Sequence, residues 1–162
     1  MNLVDIEGYE GLYAFDLNTN QVWSYKKKDY KTTYIHNQEK YYMVWLYKNN
    51  KRKSFRLHRL IFKYNNLDIN ITDLIIDHID RNRLNNNLDN LRIATKSENC
   101  CNQKVRVDNK LGVKNIKKNK NSYLVRITKN KIVYHKSFEK LEDAIEWRNI
   151  KLKEIHKNFS SI

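Results

Sequence analysis

Four side chains in the segment 77–99 have the types and spacing that phosphate chemistry needs. Asp77 and His78 are adjacent, Asn90 follows, and Asn99 ends the run Thr95-Lys96-Ser97-Glu98-Asn99. A hard cation such as Mg²⁺ needs only one or two protein oxygens, keeps several waters and takes other ligands from phosphate. A neutral histidine beside it can take a proton from water near neutral pH. These residues therefore suit metal-assisted cleavage of a phosphodiester.

The charge of the chain indicates a polyanionic partner. Its 162 residues include 32 Lys and Arg against 18 Asp and Glu, a formal net charge of +14. A lysine-rich surface that only keeps the protein in solution is the plain alternative. However, the segment 104–138 contains eleven Lys or Arg residues and a single acid, Asp108. Charge concentrated in this way favours a surface that follows a phosphate backbone.

Composition argues against a membrane protein, a secreted protein and a zinc-stabilised protein. No apolar run approaches the roughly 20 residues that span a bilayer. The start, Met1-Asn2-Leu3-Val4-Asp5, lacks the basic region and the apolar region of a signal peptide. Cys100 and Cys101 are neighbours, and so are poor partners for a disulfide or a structural zinc site. We therefore expect a soluble, intracellular protein.

The first third of the chain predicts two β-hairpins. Four segments are rich in aromatic and β-branched residues, namely 12–17, 21–26, 41–48 and 52–57. Asn18-Thr19-Asn20 and Asn49-Asn50-Lys51 separate them with residues that tolerate left-handed backbone conformations.

The middle of the chain predicts helix, strand, polar loop, strand and helix. The first helix has an apolar stripe and ends near residues 65–66. Strands are expected at 74–77 and 91–94, and Thr95 with Glu98 forms a capping box that starts the helix carrying Asn99. Because adjacent strand residues point to opposite faces, Asp77 and His78 can serve one site only if the chain bends where their strand ends.

The last third predicts a small sheet backed by a helix. Its strands are expected at 112–117, 122–128 and 132–138, with turns at 119–121 and 129–130. A long amphipathic helix is expected from 141 to 157.

Several motifs together resemble the HNH endonucleases of the phage and intron homing type. They are Leu57-His58-Arg59-Leu60, Asp77-His78-Ile79-Asp80, Asn87-Leu88-Asp89-Asn90-Leu91-Arg92 and Ser97-Glu98-Asn99. The opening Ile6-Glu7-Gly8-Tyr9-Glu10-Gly11-Leu12-Tyr13 resembles a nuclease-associated modular motif. The tail resembles the Apetala-type three-stranded DNA-binding domain.

The resemblance implies an α+β fold with three domains. A ββα-metal nuclease core at 57–107 would lie between an N-terminal β-hairpin module at 1–56 and a three-stranded sheet plus helix at 108–162. The implied function is site-selective, metal-dependent endonuclease cleavage of double-stranded DNA.

The resemblance also implies a role for each site residue. Asp77 and Asn99 would bind one divalent cation, His78 would be the general base, and Asn90 would orient His78 or pin the loop. Asparagine at position 99, in place of histidine, favours Mg²⁺ or Mn²⁺ over Zn²⁺. His58 is a possible accessory residue that supports the site or contacts phosphate, with a purely structural role as the alternative.

The implied DNA-binding residues of the tail are basic side chains on or beside its strands, namely Lys114, Lys117, Arg126 and Lys136. Strand alternation lets only a subset of them face outward together. Tyr123, Tyr134 and Phe138 are expected in the core rather than against bases.

Two other classes of protein compete with the nuclease interpretation. One is a DNA-binding protein whose nuclease core has decayed, which the presence of Asp77, His78, Asn90 and Asn99 together argues against. The other is a basic RNA-binding or ribosome-associated protein, for which no aromatic-rich RNA-recognition motif is found. No dimer interface is evident in the sequence, so a monomer is the simpler expectation.

Overall fold

The computed structural model describes residues 1–103, 105, 107–129 and 131–156. The strands are β1 Leu3–Asp5, β2 Tyr13–Asp16, β3 Gln21–Ser24, β4 Asp29–Tyr30, β5 Tyr34–Ile35, β6 Tyr42–Lys48, β7 Lys51–Arg56, β8 Ile75–His78, β9 Leu91–Ala94, β10 Ile116–Lys118, β11 Tyr123–Lys129 and β12 Ile132–Phe138. The helices are α1 Leu57–Asn65, α2 Lys96–Asn102 and α3 Leu141–His156, and a 3-10 turn covers Leu88–Asn90. The predicted α+β class is confirmed.

Two small antiparallel sheets form the amino-terminal part of the chain, in the orders β1-β2-β3-β4 and β5-β6-β7. The predicted hairpins are present as β2–β3 and β6–β7, and the short strands β1, β4 and β5 extend them. Asn49 and Asn50 form the two-residue turn between β6 and β7, with φ values of 51° and 56°. Asparagine tolerates this left-handed conformation, which a type I′ turn requires at both positions.

One hydrophobic core joins these sheets to α1 and to the β8–β9 hairpin. Its buried side chains are Ile6, Tyr13, Phe15, Val22, Val44, Leu46, Leu60, Ile61, Phe62, Tyr64, Ile71, Ile76 and Leu91. The rings of Phe15 and Tyr64 stack with their centroids 5.2 Å apart. Because an isolated two-stranded hairpin is at best marginally stable in water, β8–β9 depends on this core for its position.

Arg59 fixes the segment that leads into β8. It lies on α1, which ends at Asn65 as predicted. Its guanidinium donates through Nη1 to the carbonyl oxygen of Leu74 at 2.8 Å and through Nη2 to that of Ile71 at 2.7 Å. These charge-assisted bonds satisfy loop carbonyls and set the direction in which β8 begins.

The chain divides into two compact units, Met1–Ala94 and Thr95–Ile162. The three-part division with boundaries after residues 56 and 107 remains a prediction. Within the described ranges, no helix is long and apolar enough to cross a membrane.

The second unit begins with the predicted capping box. The Thr95 hydroxyl accepts a hydrogen bond from the Glu98 backbone N–H at 3.2 Å, and the Glu98 carboxylate accepts one from the Thr95 N–H at 2.9 Å. The sheet β10-β11-β12 follows, and α3 packs on it. This unit has its own core, formed by Ile116, Val125, Ile127, Ala144 and Leu152.

The prediction placed the first strand of this unit too early. Strand β10 starts at Ile116 rather than Gly112, because Gly112 and Asn115 have φ values of 67° and 65° that interrupt an extended chain. The predicted turn residue Asn130 and the predicted helix end at Lys157 lie outside the described residues.

Asp16 organises the end of the first sheet. Its Oδ1 accepts hydrogen bonds from the backbone N–H groups of Asn2 and Asn18 at 3.1 and 3.0 Å, and its Oδ2 accepts one from the Tyr30 hydroxyl at 2.5 Å. The Tyr30 hydrogen bond is the main reason that the pKa of Asp16 falls from 3.8 to about 2. The ionised form therefore stabilises the fold above pH 3.8, and this contribution is lost as the pH falls through about 2.

We predict that Tyr30→Phe makes the protein more sensitive to acid. Without the hydroxyl donor, the pKa of Asp16 rises toward its usual value, so the acid-unfolding midpoint should move to higher pH. Circular dichroism during acid titration measures that midpoint. Tyr25→Phe is the matched control, because its hydroxyl donates to the exposed Asp5. Equal midpoints for the two variants would contradict the role assigned to Asp16.

Candidate active site

The chain turns immediately after β8. A bend at this position is what Asp77 and His78 need if both side chains are to serve one site. Strands β8 and β9 pair antiparallel, with Asp77 opposite Arg92 and His78 opposite Leu91. The Ile79 N–H donates to the carbonyl oxygen of Asn90 at 2.8 Å, and Arg81 adopts a φ of 65°. The bend therefore begins within three residues of His78.

Asp77 is a buried carboxylate with a cationic partner. Its side chain is 8% exposed, and its Oδ2 accepts hydrogen bonds from Nε and Nη2 of Arg92, both at 3.2 Å. The pairing follows from the register of the hairpin, because directly opposed residues project from the same face. Burial of a carboxylate is costly without such a partner. Asp77 therefore binds a cationic group at the end of the hairpin.

His78 is 3% exposed. Its side chain contacts an asparagine side chain and two aromatic rings. Its Nε2 lies 3.0 Å from Oδ1 of Asn86. The ring of His58 meets it edge-on with centroids 4.9 Å apart, and the ring of Tyr41 lies 5.9 Å away at 33°. These contacts restrict the orientation of the imidazole.

His58, the predicted accessory residue, is the second residue of α1 and is 4% exposed. Burial is the main cause that lowers its pKa to about 3, and repulsion from His78, Arg56 and Arg59 adds to it. Its Nδ1 has no hydrogen-bond partner among the described residues. His58 is therefore neutral at physiological pH and contacts His78 through ring packing.

Asn90 contacts the loop rather than His78. Its Nδ2 donates to Oδ1 of Asp80 at 2.9 Å and to the carbonyl oxygen of Asn85 at 2.8 Å, while its Oδ1 accepts from the Asp80 N–H at 3.0 Å. Asp80 also accepts from the Asn82 N–H and from the Asn85 side chain at 2.8 and 2.7 Å. Burial opposes ionisation of Asp80, but these hydrogen bonds outweigh it and lower its pKa. Asp80 is thus the anion around which the loop closes.

Asn99 lies on α2, in the second compact unit. Its backbone N–H donates to the Thr95 carbonyl oxygen at 2.9 Å, inside the turn that the capping box starts. Its side chain is half-buried. Of the four predicted site residues, Asp77, His78 and Asn90 thus share one hairpin, and Asn99 belongs to the following helix.

The residue types predicted as metal ligands fit a hard divalent cation. Carboxylate oxygens, which Asp77 offers in the first unit, and amide oxygens, which Asn99 offers in the second, are donors that Mg²⁺ and Mn²⁺ accept. Mg²⁺ commonly completes its shell with water and phosphate. Arg92 at 3.2 Å shows that the Asp77 carboxylate already attracts positive charge. In the described part of the chain, no three His, Cys, Asp or Glu side chains are arranged so that together they could hold a metal ion.

The register of the carboxy-terminal sheet separates the four predicted DNA-binding residues. Lys117 pairs with Leu124, so Lys117 and Arg126 project from the face opposite the core residue Val125. Lys136 pairs directly with Val125 and therefore projects from the face that α3 covers. Lys114 precedes β10 and is half-buried.

Three contacts of the site were missed at the sequence level. Asn86 belongs to a run of three asparagines that residue type cannot distinguish, and Tyr41 and Arg92 reach the site through tertiary packing and strand register. Register was the one available signal, because a hairpin closed at Asn90 places Arg92 opposite Asp77.

Comparison with known proteins relates this segment to one family of enzymes. Residues 55–100 match the family described as HNH endonuclease. A solved structure described as DNA binding and cleavage by the HNH homing endonuclease I-HmuI has a TM-score of 0.55 and 27% identity to the chain. That similarity covers 97% of this chain and 92% of the other.

Two relatives are similar in sequence to this chain. DNA endonuclease I-HmuI of Bacillus phage SP01 is 37% identical over 105 residues, or 64% of this chain and 58% of its own length. L560 of Acanthamoeba polyphaga mimivirus, described as an uncharacterized HNH endonuclease, is 35% identical over 91 residues, or 56% of this chain and 47% of its own length. The chain therefore aligns with about half of the length of these relatives.

We predict that Asn90→Ala loosens the loop without disturbing the strands. The substitution removes the acceptor of the Asp80 N–H, so that amide should exchange with solvent about tenfold faster, as expected for loss of one hydrogen bond. Hydrogen–deuterium exchange measures this rate, with Ile76 as the internal reference. Asn87→Ala is the matched control, because Asn87 makes no side-chain capping bond. If both variants leave Asp80 exchange unchanged, the pinning role is wrong.

Proposed function

We propose that this protein is a divalent-metal-dependent endonuclease that hydrolyses phosphodiester bonds at selected sites in double-stranded DNA. The observation that carries the proposal is the placement of Asp77 and His78 at the turned end of a buried hairpin, within the segment that matches the HNH endonuclease family. The relatives named as DNA endonuclease and HNH homing endonuclease support the same substrate.

Asp77 and Asn99 are the proposed ligands of one divalent cation, Mg²⁺ or Mn²⁺. When bound, that cation supplies positive charge that stabilises the attacked phosphate and the departing 3′ oxygen. Asp77 contributes a carboxylate that the hairpin keeps buried and ion-paired. Arg92 would have to share or yield its position on that carboxylate, and its guanidinium is then available to a phosphate oxygen.

His78 is the proposed general base. Its burial and its contacts with Asn86, His58 and Tyr41 hold the ring in one orientation, which lowers the cost of aligning it with a water molecule. The proposed step transfers one proton from water to the imidazole as the water oxygen attacks phosphorus, and the bond between phosphorus and the 3′ oxygen breaks so that the 3′ oxygen leaves. Asn90 is proposed to act indirectly, by pinning the loop.

DNA binding is proposed to use the open face of the carboxy-terminal sheet. Lys117 and Arg126 are exposed and share that face, and the whole chain carries a net charge of +14. The nuclease-associated motif at the amino terminus and the Apetala-type identity of the tail remain part of this proposal. A single active site in a monomer would cut one strand in each binding event.

A DNA-binding protein with an inactive core is the second candidate. The ion pair between Asp77 and Arg92 favours it, because this carboxylate is neutralised by the protein itself. A core that no longer binds metal needs such internal compensation to remain folded.

We predict metal-dependent nicking of supercoiled plasmid that His78→Ala reduces by about 10² to 10⁴, the usual contribution of a general base. The assay compares Mg²⁺, Mn²⁺ and EDTA at low salt, with equal concentrations of protein shown to be folded by circular dichroism. His36→Ala is the histidine control outside the hairpin. Cleavage that survives in His78→Ala would remove the general-base assignment. Plasmid that is bound but uncut in every lane, followed by no cleavage of a genomic DNA library, would favour the inactive-core candidate.

We also predict a steep salt dependence of duplex binding. For B-DNA, log K falls with log salt by roughly 0.9 for each neutralised phosphate. Fluorescence anisotropy across a salt series should therefore give a smaller slope for Lys117→Ala combined with Arg126→Ala, by roughly 0.9 per lost contact. Lys136→Ala, on the opposite face, should change the slope less. A flat salt response of the wild type would contradict a basic binding surface.

A further inference from the structure

We propose that Asn86, rather than the motif residue Asn90, is the positioning residue that sets the tautomer of His78. The two side chains meet at 3.0 Å between Asn86 Oδ1 and His78 Nε2. An amide oxygen only accepts hydrogen bonds, so this contact requires a proton on Nε2. Because a neutral imidazole carries a single ring proton, Nδ1 is then the basic nitrogen.

The three consecutive asparagines of the loop have different partners. Asn85 donates its Nδ2 to Asp80 at 2.7 Å and accepts the Asn87 N–H on its Oδ1 at 3.4 Å. Asn87 is exposed and makes no side-chain capping bond. Asn86 is half-buried and turns toward His78. The geometry therefore assigns the contact with the imidazole to one of three residues of the same type.

The loop is tied down on both sides of Asn86. Asn90 binds the carbonyl oxygen of Asn85 at 2.8 Å, next to Asn86 in the chain. Arg83 donates through Nη1 to the carbonyl oxygen of Glu39 at 2.9 Å, which connects the loop to the β5–β6 hairpin. Asn86 thus approaches His78 from a backbone with few alternatives, and Asn90 acts on His78 only through that backbone.

Ring packing restricts the remaining freedom of His78. The ring centroids of His58 and Tyr41 lie 4.8 Å apart, and each of these rings contacts the ring of His78. The guanidinium groups of Arg56 and Arg83 lie over Tyr41 at 5.3 and 5.1 Å from its centroid. A flipped imidazole, in which the carbon Cε1 takes the place of Nε2, would leave the oxygen of Asn86 without an N–H donor from the ring inside this packed cluster.

The catalytic consequence rests on the proposed function. If His78 is the general base, Asn86 commits Nε2 as the donor and makes Nδ1 the ring nitrogen that takes the proton. Loss of Asn86 should then lower kcat about tenfold with little change in KM, because binding of DNA does not depend on the tautomer. An aspartate at this position retains an acceptor oxygen at the same reach and should restore both the tautomer and kcat.

The closing experiment measures the tautomer directly. The full chain labelled with ¹⁵N-histidine, without added metal, is studied by long-range ¹H–¹⁵N correlation, and His78→Ala identifies the signals. We expect the Nε2–H tautomer in the wild type, in Asn86→Asp and in the control Asn87→Ala. In Asn86→Ala the tautomer ratio should shift by about tenfold.

An Nδ1–H tautomer in the wild type, or an unchanged tautomer in Asn86→Ala, would overturn the proposal. Unfolding of Asn86→Ala is recognised by loss of the dispersed histidine signals, and Asn86→Leu then supplies a variant of similar size. A tautomer that depends on Asn86 in a protein without nuclease activity would leave this proposal intact and refute the proposed function. His78-dependent cleavage with a tautomer insensitive to Asn86 would do the reverse.

Discussion

The structure depends on the burial of a carboxylate and an imidazole side by side at the end of a two-stranded hairpin. Such a hairpin is too small to exclude water alone, and Ile76 and Leu91 anchor it in the core that α1 and the amino-terminal sheets provide. Burial then requires a partner for each polar group. Arg92 neutralises Asp77, and Asn86 contacts His78. The amino-terminal sheets are therefore part of what makes the site possible.

Asparagine side chains form most of the hydrogen bonds that close the loop of this site. The loop closes around the Asp80 carboxylate, with hydrogen bonds from Asn85 and Asn90. Amides suit this role because each offers a donor and an acceptor without adding charge near the site. On the carboxy-terminal sheet, the alternation of side chains gives Lys117 and Arg126 a shared open face.

Most of the fold was predictable because its signals are local. The capping box starts α2, the Asn49-Asn50 turn joins β6 to β7, and the apolar stripe of α1 ends at Asn65. The errors in the predicted strands have two causes. Strands β1, β4 and β5 span only two or three residues, too few to show alternation, and they form because neighbouring strands offer backbone partners. The late start of β10 reflects two residues with left-handed backbone conformations.

By itself, the sequence determined the chemistry available to this protein, because adjacency of Asp77 and His78 and the motifs around them are properties of the chain order. Only the tertiary structure decided which groups contact one another. In the tertiary structure, Asn86 contacts the imidazole of His78, Asn90 binds the loop backbone, and Lys136 projects from the face of the sheet that α3 covers. The physical reason is that strand register and loop hydrogen bonds decide these contacts. Both depend on the positions of residues in three dimensions, which residue type alone does not specify.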